Sequence, residues 1–146
     1  MIKTIVINNL IAIAIHVLIC LILLIPIGYT LRIGFVNEII TDLVTCFCII
    51  IMLVLYYRAG RMYLIATENI LSNVFSVVSI IILLILIVPL LNKNTNTEPY
   101  FEVLATPIAP IVELLFEIFH LKKMHIYWGV LFIPSFSMWV GMMCKK

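Results

Sequence analysis

The feature that most limits the folds open to this chain is the run over residues 5–27, apolar apart from isolated polar side chains. About 20 helical residues cross a hydrocarbon core of about 30 Å, so a run of this length is a membrane span by default. Lys3 ahead of it gives the outline of a secretory signal. A signal's apolar part, however, is about 7–15 residues long and closes on a small-residue cleavage site, which this run lacks. It reads as an uncleaved transmembrane helix that stops at Pro26, Ile27 and Gly28. Asn9, Ala12, His16 and Cys20 recur at spacings of three and four, so they share one face. Small and polar residues on one face of a membrane helix point towards a partner helix.

Three more runs repeat the pattern. Residues 37–57 form a second span whose first turns carry Glu38, Thr41, Asp42 and Thr45. Carboxylates near a helix N-terminus are favoured by the helix dipole, by a few tenths to about 1 kcal/mol, which gives Glu38 and Asp42 a structural reason beside a proton or cation site. Tyr56 and Tyr57 mark the far interface, as aromatic belts do. A loop over residues 58–63 holds Arg58 and Arg61, and a third span covers about residues 70–91. Asn69, Ser72, Asn73, Ser76 and Ser79 form a stripe along its first half. Such a stripe either lines a water-filled path or packs on another helix, and helix contact is the expectation. Residues 92–98 are a solvent loop. The last span, 126–143, holds Pro134, which should kink it near Ser135 and Ser137, and the small-residue pair Ser137 and Gly141.

Composition closes off the soluble classes. The chain is 65% hydrophobic and 11% charged, where a soluble domain has about 45–50% and about 25%. The net charge of +2 is scattered in ones and twos. That excludes a basic patch for nucleic acid and a polybasic cluster for lipid. Cys20, Cys46, Cys48 and Cys144 sit in or beside apolar segments and read as small hydrophobes. Cys46 and Cys48 diverge by about 200° on a helix and cannot pair with each other.

The stretch over residues 100–125 resists this assignment, and the topology turns on it. Thr106 has the look of an N-cap and Pro107 of a first helical residue, starting a helix over about residues 107–123 that ends near Lys122 and Lys123. Glu113, Glu117 and His120 fall on one face, with Ile108, Ile111, Val112, Leu115 and Phe119 over much of the rest. As a span it would bury each of those three polar groups at on the order of 2–3 kcal/mol. An amphipathic helix in the interface, or a re-entrant element, avoids that cost. The expected fold is therefore all-α: a polytopic membrane protein with four transmembrane helices plus one amphipathic or re-entrant helix, the alternative being five spans. With the N-terminus inside, four spans set Lys3, Arg58, Arg61, Lys145 and Lys146 against Arg32, Lys93, Lys122 and Lys123. Five spans exchange the two lysine pairs and leave the same margin.

Chemistry is sparse. Glu117 and His120 form a Glu-x-x-His, but di-metal bundles take that motif from two helices together with two more glutamates. One copy exists here, so no metal and no cofactor is expected. His16 is the ionisable residue nearest a bilayer centre, and a neutral imidazole bonded to a neighbouring helix is its expected state. No spaced nucleophile and base point to an enzyme. The expected role is protein–protein interaction in the bilayer of a bacterial cell membrane, N-terminus cytoplasmic, as a regulatory, immunity-type or accessory subunit. Its partner would be another membrane protein or a second copy, and no nucleic acid. The alternative is an oligomeric transporter or pore subunit whose path is lined by His16, Asn73 and Ser76.

Overall fold

A computed structural model describes residues 2–33, 38–87 and 103–145, all of whose regular structure is helical. The helices are α1 (Ile2–Ile33), α2 (Glu38–Tyr63), α3 (Ile70–Phe75), α4 (Val78–Ile87), α5 (Ala109–Phe119), α6 (Lys123–Val130) and α7 (Ile133–Met143). Ile2–Pro26, Ile40–Tyr63 and His125–Met143 are each long and apolar enough to cross a membrane, and Ile70–Leu86 is a shorter apolar stretch. The far part of the expected third span and the loop at 92–98 lie outside the described residues.

The first two helices overrun their expected ends. α1 does not stop at Pro26 but carries that proline inside it and continues to Ile33. Proline removes one N–H from the ladder, whereas every backbone group that leaves a helix in lipid lacks water to bond, so one missing bond is the smaller loss. α2 likewise continues through residues 58–63, where a loop was expected. Arg58, Ala59, Arg61 and Met62 are good helix formers. Gly60 is the exception, and packing accounts for it. A Cβ on Gly60 would overlap the carbonyl oxygen of Met138, and a Cβ on Gly141 would overlap that of Tyr57. Each glycine thus lets the other helix's backbone into contact, the close approach that drives association where lipid removes the hydrophobic gain. Gly141 belongs to the small-residue pair read from the sequence; Gly60 had been placed in a loop.

Two apolar segments are broken in mid-course. Between α3 and α4 the helix is interrupted at Ser76 and Val77. The Ser76 hydroxyl donates to the Ser72 carbonyl at 2.8 Å, and the Ser79 N–H turns to the Asn9 side chain at 2.9 Å. Between α6 and α7 the break falls at Leu131 and Phe132, just before Pro134, whose ring conflicts with the carbonyl four residues earlier. The departure expected there is a two-residue break whose backbone keeps right-handed helical dihedrals. Ser135, expected to serve its own helix, instead donates across to the Val77 carbonyl at 3.0 Å, so the two breaks are joined.

At one end of the bundle three chain segments meet. Asn8 bonds to Ile65, and the Lys145 ammonium donates to the Leu64 carbonyl at 3.4 Å. The start of α1, the end of α2 and the end of α7 therefore lie together. Leu23, Met52, Tyr56, Ile80, Leu84, Ile108 and Met138 fill the interior behind them.

Candidate functional site: a buried polar seam

The inward face of α1 carries Asn8, Ala12, His16 and Cys20 at intervals of four, all buried. Two polar layers are built on it. In the layer nearer the chain start, Asn8 exchanges two hydrogen bonds with the backbone of Ile65, at 2.9 and 3.0 Å, and donates to the Ser76 hydroxyl at 3.2 Å. Asn9 donates to the Phe75 carbonyl at 2.8 Å, and its own carbonyl accepts from the Ser79 hydroxyl at 3.1 Å. Asn73 accepts from the N–H and hydroxyl of Thr67, at 2.8 and 2.9 Å, and donates back to the Thr67 carbonyl at 2.8 Å. Asn69 caps α3 through the N–H groups of Leu71 and Ser72. Amides and hydroxyls thus take up backbone groups that the bend at 64–69 and the α3–α4 break release.

The second layer lies about midway along the apolar part of α1. His16 Nδ1 stands 2.6 Å from the Tyr56 hydroxyl and Nε2 stands 3.0 Å from the Leu104 carbonyl oxygen. A carbonyl only accepts, so Nε2 carries the proton and Nδ1 is left to accept from Tyr56. The arrangement is complete with a neutral imidazole. The Cys20 thiol also reaches the Leu104 oxygen, at 3.6 Å. What His16 and Cys20 hold is a short helical piece at residues 103–105, followed by a turn at 106–108. Over residues 103–109 the N–H groups of Thr106, Ile108 and Ala109 bond three residues back, and Ala105, Thr106, Pro107 and Ile108 are buried.

That geometry corrects the expected helix over 107–123. Ile108, not Thr106, stands at the N-cap, without a side-chain cap bond. Pro107 and Pro110 bring no N–H, so regular bonding starts only with the Val112 N–H to Ile108. The far end also comes early. His120 is left-handed, φ 51°, and closes the helix by donating its N–H to Phe116. Lys122 and Lys123 belong to the start of α6 rather than to the end of α5.

The expected polar stripe of α5 is turned outward and gathers no site. Glu113 pairs with Lys123 at 2.6 Å, both side chains 47% exposed, and the same ammonium lies 5.1 Å from the Phe116 ring centroid. Glu117 and His120 are exposed. Asp42 is exposed in the second turn of α2, and Glu38 is that helix's first residue, its side chain outside the described ones. Among the described residues no three metal-binding side chains of the His, Cys, Asp and Glu types converge. From the expected set, Asn73 and Ser76 fall in the first layer and His16 in the second.

Asn8, Thr67 and Tyr56 were missed. Asn8 stands four residues before Ala12, on the stripe that was counted from Asn9. Tyr56 was expected at an interface, but α2 continues for two more turns, so its ring is fully buried. Among the described residues two buried donors, Ser72 Oγ and Trp139 Nε1, make no protein hydrogen bond. The chain matches no family model, no curated protein and no solved structure.

Proposed function

We propose that this chain is a four-crossing protein of a bacterial plasma membrane that acts by binding other proteins within the bilayer, as a regulatory, immunity-type or accessory subunit. In this reading α1, α2, α3–α4 and α6–α7 cross. The segment at 103–108 with α5 enters and leaves on one side. Support for the even count comes from the shared end of the bundle, where Asn8 meets Ile65 and Lys145 meets Leu64.

The observation that carries the functional reading is the use of the α3–α4 stripe. A path for ions or solutes needs polar groups turned to an open lumen. Here Asn73 and Ser76 are fully buried and bonded to Thr67, Ser72 and Asn8. The polar seam is spent on holding helices together, which leaves outward apolar faces as the surfaces for recognition. Purification of the tagged chain in gentle detergent should co-purify a membrane partner or a second copy, and a strictly solitary chain would remove the reading's support.

A transporter or pore subunit is the second reading, and the paired breaks favour it. Transporters place interrupted helices around a midplane site, and the Ser135–Val77 bond joins two such interruptions. Ion or dye flux in liposomes holding the purified chain, abolished by Ser76→Leu, would select this reading over the first.

A further inference from the structure

The bend at 64–69 carries a cleft of about 300 Å³, lined by Ile65, Ala66, Thr67, Glu68 and Lys145. That is the small end of the range for ligand sites, about 300–1,000 Å³. The helix ends around the cleft fix its depth. The apolar stretches Ile40–Tyr63 and His125–Met143 stop just before its residues in the chain, and Ile70–Leu86 starts just after them. With those stretches in a bilayer, the cleft stands where hydrocarbon gives way to lipid headgroups.

Thr67 gives its N–H and hydroxyl to Asn73, so the chemistry of the cleft rests on Glu68 and Lys145, both exposed. The Lys145 ammonium is held at the Leu64 carbonyl. The two do not pair with each other; the salt bridge among the described residues joins Glu113 to Lys123. One cleft therefore offers a cation and an anion, each with bonding capacity left. An anionic headgroup would meet the Glu68 carboxylate, and a bare cation would meet the Lys145 ammonium, whereas a zwitterion complements both. Arg58 and Arg61, exposed towards the end of α2, attract the phosphate of any lipid to this level. Glu68 is the only carboxylate between Asp42 and Glu98, and it is the group that tells headgroups apart. Ile65 is half exposed, and Ile70 and Leu71 in the first turn of α3 are more so, apolar surface of the kind that acyl chains cover. We propose that the cleft seats the headgroup of a zwitterionic phospholipid, an aminoethyl phosphate, with the phosphate on Lys145 and the ammonium on Glu68. This rests on the bilayer reading, and neither on the number of crossings nor on a protein partner.

The full-length chain in mixed micelles, given equal amounts of phosphatidylethanolamine, phosphatidylcholine and phosphatidylglycerol, provides the test, with retained lipid read by native mass spectrometry. Phosphatidylethanolamine should be held roughly fivefold over phosphatidylglycerol, the scale of one exposed ion pair. It should also exceed phosphatidylcholine, whose trimethylated nitrogen has no N–H to donate to Glu68. Glu68→Gln should erase both preferences. Lys145→Gln should lower retention of phosphatidylethanolamine, and Lys145→Arg should keep it. Both side chains are exposed, so neither change opens the core. Equal retention of all lipids by the unaltered chain, or a preference that survives Glu68→Gln, overturns the proposal. Free phosphoethanolamine at the same concentration should not displace the lipid; displacement would make the occupant a soluble zwitterion and overturn the lipid assignment. A chain that stays monodisperse without detergent or lipid sinks the bilayer reading instead, whatever it binds.

Discussion

Two polar stripes at helical spacing run through this chain, one from Asn69 to Ser79 and one from Glu113 to His120, and the fold treats them in opposite ways. The first is turned inward beyond Asn69 and bonded at nearly every member, with Asn73 and Ser76 fully buried. The second is turned outward, with one ion pair between half-exposed side chains and a histidine that ends the helix. Spacing does not separate them; charge does. Amides and hydroxyls can be satisfied by backbone carbonyls and N–H groups, and the α3–α4 break and the bend at 64–69 supply these. Carboxylates demand a cation or water, since an unpaired buried charge costs far more than an unpaired amide.

That contrast can be broken or sharpened by substitution, measured as stability to denaturing detergent in mixed micelles. Asn8→Leu should have the largest effect. It deletes three bonds that reach two other segments, and at about 0.6 kcal/mol for each hydrogen bond within a membrane protein the loss is about 2 kcal/mol. His16→Leu should follow at about 1 kcal/mol, and a double-mutant cycle with Tyr56→Phe should show coupling of at least about 0.5 kcal/mol. Additive losses would mean that the 2.6 Å contact holds nothing. Ser76→Ala removes two bonds, the one accepted from Asn8 and the one donated to the Ser72 carbonyl, and should cost about 1 kcal/mol. Glu113→Gln and Glu117→Gln should be smallest, each under about 0.5 kcal/mol, because exposed ion pairs contribute little. A loss for Glu117→Gln larger than for Asn8→Leu would reverse the assignment of inner and outer stripes.

The all-helical class, the long apolar helices and the inward stripe of α1 were all legible from spacing and composition. So was the part of Asn73 and Ser76 in helix contact, because uncharged polar residues in an apolar helix have few other uses. Helix ends were not. Pro26 reads as a stop in water-based rules, but in lipid the helix has nowhere better to place its backbone groups. Residues 58–63 read as a loop because Arg58, Gly60 and Arg61 are unusual in a span, and only the contact with Met138 explains Gly60. The His16 layer was half visible: the histidine stood out, whereas its partners are a tyrosine assigned elsewhere and a backbone oxygen that carries no sequence signal.

The backbone contacts of Gly60 with Met138 and of Gly141 with Tyr57 have a mechanical consequence. Where side chains meet, a helix pair can slide or tilt by changing rotamers; where two backbones meet, there is nothing to rearrange. α2 and α7 are in effect one strut near their shared basic end. Any change of shape must then be taken up elsewhere, at the interruptions by Val77 and Leu131, which the Ser135 hydroxyl ties together. A motion that frees one of these joints must break that bond and so loosens the other.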